Sequence, residues 1–203
     1  GSGMQHKFSV DQLTSFATHV IEAMGTQAEA ASTVAHQLVG ANLAGLESHG
    51  VVRLRQYYDQ VTSGITDPLA TPTVESETPA TTLINGNLAW GALAGYLAVE
   101  HAQRKARALG VAAVSAHDCA HIGRVGTYPL ALARNGLVGQ LYCGSVNGSF
   151  VAPWGGREPR MATNPIAIAV PTRGEPALLD AATSATAEGK VQVARNTDKQ
   201  LAE

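Results

Sequence analysis

Charge, cysteine and aromatic side chains are all scarce in this chain, and each scarcity removes a class of function. Only 15% of the 203 residues are charged and the formal net charge is -2. No long Lys/Arg run occurs, so the cationic face that grips a phosphate backbone is missing and nucleic acid is an unsuitable partner. Cys119 and Cys143 are the two cysteines, too few for a disulfide framework, which points to a reducing cytoplasm. Aromatics make up 5%, favouring close packing of helices on sheets over an aromatic-rich β-sandwich. No signal peptide is visible, and no apolar run is long enough to span a bilayer. No Gly-x-Gly-x-x-Gly follows a strand and no phosphate-binding P-loop occurs, so an ordinary Rossmann fingerprint is absent.

What is present is a chain able to build a sizeable core, 45% hydrophobic and long enough for one domain or a little more. Gly1-Ser2-Gly3 ahead of Met4 reads as a cloning scar. Ser9 with Gln12 fits a capping box. Leu13, Phe16, Val20 and Met24 then recur at helical spacing up to Gly25. Thr26 with Glu29 repeats the start signal. Val34, Leu38, Val39 and Leu43 give a second helix its stripe, closed by Gly45. A third helix is expected over 51–63, ended by Gly64.

The pattern then changes. Short strands are expected at 73–77 and 81–84, with Asn85-Gly86 as a tight-turn signal. A long amphipathic helix follows over 93–109, stopped by Gly110. Further strands are expected at 111–115, 138–143, 166–170 and 178–180, and helices at 125–134 and 184–195, the last weakened by Gly189. Strands alternating with helices imply an α/β layer architecture with a largely covered sheet, behind an N-terminal helical unit. Residues 196–203 carry no cap and no closing element.

Two segments place imidazole beside glycine at the ends of these elements. His49 precedes Gly50 at the start of the third helix, with Arg53 and Tyr57 at successive four-residue steps. Such residues share a helix face. A guanidinium grips a carboxylate through two parallel hydrogen bonds, and an adjacent imidazole can serve a hydroxyl or carbonyl next to it. The same stripe also fits a solvated helix face capped by Ser48. His121 lies in a loop after the 111–115 strand, where α/β sheets commonly bind ligands; a loop histidine satisfying carbonyls reads equally well. His117, Cys119 and His121 alternate, so in an extended loop they point one way. Imidazole and thiolate suit zinc, but no fourth ligand accompanies them. Gly155-Gly156 and Thr163-Asn164-Pro165 mark a loop with unusual backbone. Asp180, at a strand end, suits either ribose hydroxyls or a helix cap.

Taken in series, these segments resemble one family. Gly45-Leu46-Glu47-Ser48-His49-Gly50-Val51-Val52-Arg53-Leu54 is similar to the Ser-His-Gly signature of the type-2 malate/L-lactate dehydrogenases. Ala120-His121-Ile122-Gly123-Arg124-Val125-Gly126-Thr127-Tyr128 resembles that family's second histidine loop. Val151-Ala152-Pro153-Trp154-Gly155-Gly156, Ala162-Thr163-Asn164-Pro165 and Asp180-Ala181-Ala182-Thr183-Ser184 through Gly189-Lys190 resemble its later motifs, in the same order.

The resemblance implies an NAD- or NADP-dependent oxidoreductase acting on CH-OH or C=N groups of a small carboxylate: a 2-hydroxy acid, 2-oxo acid or cyclic imino acid. It implies a cytoplasmic homodimer with an α/β fold that is not an ordinary Rossmann fold. It makes His49 and His121 the catalytic acid/base candidates and Ser48, Arg53, Tyr57 and Thr163 the substrate contacts. His121, Asn164, Pro165, Asp180, Ala181 and Ala182 become cofactor contacts, with no metal. Residues 4–70 form the expected helical substrate and dimer region, and 71–203 the α/β cofactor-binding region, incomplete at its C-terminal end. Asp118-Cys119 departs from the Asn-Ser pair usual in the family. The competing readings are a catalytically incomplete fragment acting only through dimer or partner contacts, and a zinc-dependent hydrolase built on His117, Cys119 and His121.

Overall fold

The computed structural model describes residues 7–144 and 151–184. The expected 184–195 helix therefore falls, beyond Ser184, outside the described residues. Contacts divide the chain into two units. One comprises Gly1–Glu75, Ile84–Ala94 and Ala116–Gly123, and the other Ser76–Leu83, Gly95–Ser115 and Arg124–Glu203.

The first unit opens with α1 (Val10–Ala23) and α2 (Ala28–Leu43). The Ser9–Gln12 capping box forms in both directions. The buried face of α1 is set by Ala17 and Ile21, whereas Phe16 of the expected stripe is exposed. Small Ala17 admits α2 at close range, so the contact face lies one residue round from the bulkiest side chains. The start signal of α2 also lands elsewhere. Gln27 is the N-cap, without a side-chain bond, because the Thr26 hydroxyl accepts the buried Trp90 indole N–H at 2.8 Å. Val34, Leu38 and Val39 are buried as expected, but Leu43 is exposed.

The expected third helix forms in two stages: 3-10 turns at Glu47–His49 and Val51–Arg53, then α3 (Leu54–Thr62). The glycines at the expected helix stops, Gly25, Gly45, Gly64 and Gly110, all adopt positive φ. Ala17, Ile21, Val34, Leu38, Tyr57 and Trp90 share one core cluster.

Two three-stranded sheets follow. β1 (Thr73–Glu77), β2 (Thr81–Asn85) and β3 (Ala113–His117) lie in the order β1-β2-β3, with α4 (Gly91–Leu109) between β2 and β3 in sequence. The amide of Ala113 donates to Ala80 at one end, and that of Gly86 to His117 at the other. β2 and β3 therefore run in the same direction, as a helical crossover requires. β3 lies two residues later than expected, which puts His117 on the strand instead of in the loop. β1 is exposed along its whole length, so this sheet is not covered there.

In the second unit, β4 (Gly139–Tyr142), β5 (Ile166–Val170) and β6 (Ala177–Ala181) form an antiparallel sheet. The helix α5 (Thr127–Arg134) packs on β4 and β5. Ala167 and Ala169 of β5 are fully buried. Among the described residues no helix is long and apolar enough to cross a membrane.

Candidate active site

The first unit gathers Ser48, His49, Arg53, Tyr57 and His121. Gly50 explains how the Ser48–His49 turn is held. A Cβ at Gly50 would lie 2.2 Å from the side-chain oxygen of Asn42, and that oxygen accepts the Val51 amide at 2.9 Å. Asn42, at the end of α2, therefore pins the turn only because position 50 has no side chain. The Ser48 hydroxyl lies 3.1 Å from Nδ1 of His49. Arg53 donates from Nε to the Ser48 carbonyl at 2.6 Å and from Nη1 to Gln56. The four-residue stripe thus folds back on itself through main chain and Gln56 instead of standing free on a solvated face.

The loop after β3 is gripped from several sides. The Ala120 amide donates to Ala89 at 3.1 Å. A Cβ at Gly91 would lie 2.3 Å from the Ala120 carbonyl oxygen and 2.5 Å from that of His121. Buried Gln37 of α2 donates to the Ile122 carbonyl. Loops held this way present a side chain with little freedom, which favours a reacting group.

His121 is thereby brought to His49, their rings stacked with centroids 5.8 Å apart. Its Nδ1 lies 3.1 Å from the hydroxyl of Tyr57. Tyr57 is 2% exposed and its ring tilts against Trp90 at 5.3 Å. Burial foremost, then the charge of Arg53, then His49, depress the His121 pKa to about 3. Burial raises that of Tyr57, partly offset by Arg53. At neutral pH both groups are uncharged, in a field of positive sign that favours an anionic ligand.

The alternating His117, Cys119 and His121 do not converge. Asp118 adopts φ +49°, which breaks the extended alternation. His117 instead bridges two carboxylates, with Nδ1 2.8 Å from Asp118 and Nε2 2.9 Å from Glu75. No group of three or more His, Cys, Asp or Glu among the described residues is arranged to hold a metal ion.

The second unit carries the remaining candidates. Ile166 of β5 pairs with Ala181 of β6, which brings Thr163-Asn164-Pro165 beside Asp180-Ala181-Ala182. Thr183 locks the two together, its hydroxyl 3.1 Å from the Thr163 carbonyl and 3.0 Å from that of Asn164. Asn164 adopts φ +40°. The Asp180 carboxylate accepts the Gly126 amide at 3.1 Å and lies 3.4 Å from Nε of Arg124. Asp180 thus sits at the positive end of α5, where the helix dipole favours an anion. Beside it the strand end offers main chain flanked by the small side chains of exposed Ala181 and half-buried Ala182. That donor and acceptor set fits a flat ring and sugar laid along a backbone.

Gln37, Asn42 and Gln56 were not singled out by sequence. The signal for Gln37 was available: a polar residue beside Val34 and Leu38 on the buried face of α2 must find a partner.

The model of the malate/L-lactate dehydrogenase family matches residues 8–203. A malate dehydrogenase of Pyrococcus abyssi is 39% identical over 193 residues, covering 95% of this chain and 53% of that protein. The crystal structure of a malate dehydrogenase from Entamoeba histolytica superposes with a TM-score of 0.92 at 30% identity, over 97% of this chain and 55% of that one. The delta1-piperideine-2-carboxylate reductase of Pseudomonas syringae pvar. tomato gives 0.89 at 31%, over 98% and 59%. The chain spans about half the length of the curated relatives it matches. With its motifs in series along a fold shared at this level, the chain belongs to the malate/L-lactate dehydrogenase family.

Proposed function

We propose that this chain serves an oxidoreductase that moves a hydride between NAD or NADP and C2 of a small 2-oxo or 2-hydroxy acid, or the C=N carbon of a cyclic imino acid. The observation that carries the reading is a half-buried, uncharged imidazole, His121, beside Tyr57 and within the field of a guanidinium, Arg53. A 2-oxo acid presents a carboxylate next to a carbonyl. Arg53 pairs with the first, and the His49–His121 pair faces the second. Ser48 holds the His49 ring by the Nδ1 contact, and Thr163 is a further substrate contact that the family resemblance implies.

A nicotinamide nucleotide, when bound, supplies or accepts the hydride. Asn164, Pro165, Asp180, Ala181 and Ala182 would hold it, and the family resemblance adds His121 to its contacts. During oxidation the hydroxyl proton passes to an imidazole; during reduction the pair returns it to the carbonyl oxygen or imine nitrogen. The positive field keeps the carboxylate seated while the neighbouring carbon changes hybridisation. The working protein is a cytoplasmic homodimer on this reading.

Titration of the 203-residue chain with NADH and NADPH, followed by nicotinamide fluorescence, tests the proposal. Saturable binding of one dinucleotide, with oxidation of the reduced form on adding a 2-oxo acid or cyclic imine, is expected. Absence of dinucleotide binding would remove catalysis from this polypeptide alone.

A further inference from the structure

We propose that Tyr57 is a positioning residue that holds His121 in the tautomer with its proton on Nε2, so that His121 is the neutral hydrogen-bond donor of the pair and His49 carries the proton. The inference rests on the oxidoreductase reading for its chemistry, but its structural half stands independently. It also takes Tyr57 away from the substrate-contact role that the family resemblance implies.

A hydroxyl is both donor and acceptor, and a neutral imidazole has one N–H and one bare nitrogen. A buried donor without a partner is costly, whereas an oxygen lone pair left over is tolerated more readily. The Tyr57 hydroxyl is 3.1 Å from Nδ1 of His121 and the residue is 2% exposed. The arrangement that leaves the buried phenol donor satisfied has it giving its proton to Nδ1. The imidazole proton then resides on Nε2.

The ring cannot easily swing away to reverse these roles. Tyr57 is packed against Trp90, and Trp90 is itself fixed by its bond to Thr26. Burial keeps the phenol protonated and the imidazole uncharged, so neither group is drawn into a charged exchange at neutral pH.

The consequence is a division of labour. A neutral imidazole with Nε2–H polarises a carbonyl by donating a hydrogen bond, and cannot accept the hydroxyl proton at that nitrogen. His49 is held differently. Its Nδ1 faces the Ser48 hydroxyl, which can donate or accept, and the residue is half-buried.

The experiment is a long-range proton–nitrogen correlation spectrum of the uniformly 15N-labelled chain and its Tyr57→Phe variant. The substitution keeps the ring against Trp90 and removes only the hydroxyl. The wild-type spectrum is expected to show His121 protonated at Nε2 and bare at Nδ1, and the variant to gain a measurable Nδ1–H fraction. A wild-type ring protonated at Nδ1, or a tautomer ratio unchanged by the substitution, overturns the proposal; the first can be read even if the variant fails to fold. With turnover, Tyr57→Phe should lower kcat about tenfold, the worth of one hydrogen bond, at unchanged KM. A raised KM with unchanged kcat would return Tyr57 to the substrate and refute the positioning role. The acid limb of kcat/KM should vanish in His49→Asn and persist in His121→Leu; the reverse assignment overturns the division. If no dinucleotide binds but the tautomers behave as expected, the oxidoreductase reading fails and the positioning by Tyr57 stands.

Discussion

His117, the last residue of β3, and His121, four residues on in the following loop, mark the outer and inner ends of this segment, and their surroundings make them opposites. His117 is exposed between Glu75 and Asp118, whose hydrogen bonds and charge raise its pKa, Asp118 foremost. His121 is half-buried against buried Tyr57 and near Arg53, and its pKa falls to about 3. The residue type is the same and the chain separation is small. What differs is which partners the fold delivers: carboxylates at the outer end, a phenol and a guanidinium at the inner end. The first histidine is drawn toward its charged form and the second is held uncharged.

The largest effect should come from the inner end. His121→Leu removes the donor proposed for the substrate carbonyl and should lower kcat by about 10³-fold, the upper range for a lost preorganised donor. Its stability profile should also change. Because the folded pKa lies below the unfolded value, the unfolded chain binds more protons between about pH 6.5 and pH 3. Wild-type stability is therefore fully present above that window and is lost as pH falls through it, by at most about 1.4 kcal/mol per pH unit. The variant should be flatter there by urea denaturation. A variant as acid-sensitive as the wild type would remove His121 as the source of the effect.

Next in size is Gly91→Ala. The added methyl meets two carbonyl oxygens and the carbonyl carbon of His121 at 2.6 Å or less, all main chain, so the loop itself must move. A loss of about 3 kcal/mol is expected from overpacking of this kind, together with weaker contact between His121 and Tyr57. Wild-type stability in thermal unfolding would mean that the inner end is not clamped as described. Arg53→Gln comes third. It removes a carboxylate anchor and should raise KM for a 2-oxo acid about 100-fold, or about 2.7 kcal/mol. It should also move the His121 pKa upward from about 3, since the Arg53 charge is one of its depressing causes. An NMR titration that finds His121 unmoved would separate the two residues.

Much of this was legible in the sequence, and the exceptions have physical causes. The capping box at Ser9, the glycine stops and β5 follow from local chemistry, which short-range patterns record well. The stripe on α1 misled because close packing selected Ala17 over Phe16. Thr26 misled because Trp90, far away in sequence, took the hydroxyl that a cap would have used. Asp180 does sit at a helix start, but at that of α5, more than fifty residues earlier. The His49–Arg53 spacing allowed the candidate site, yet spacing alone favoured a solvated face. Only the return of Arg53 to the Ser48 carbonyl and the arrival of His121 from the β3 loop distinguish the two. The alternation of His117, Cys119 and His121 failed at one residue, the left-handed Asp118, which no periodicity argument detects.

The smallest effect should come from the outer end, and its sign is the sharpest part of the comparison. His117 gains its carboxylate partners on folding, so its folded pKa lies above the unfolded value near 6.5. The stability it contributes is present below that value and is lost as pH rises through the folded pKa, the reverse of His121. Because Glu75, Asp118 and His117 are all accessible to water, solvent screens the pairs and the contribution is small. His117→Asn should therefore cost stability at pH 6, cost less at pH 8, and lose part of its effect in high salt. Activity should fall little, because Gly91, Ala89 and Gln37 still hold the inner end without the clasp. A variant whose stability loss grew with pH would mean that His117 is neutral in the folded protein, and the contrast between the two ends of the loop would collapse. A variant that lost activity in step with His121→Leu would mean that the two ends move as one body, so that the clasp on Glu75 reaches the proton chemistry through the main chain.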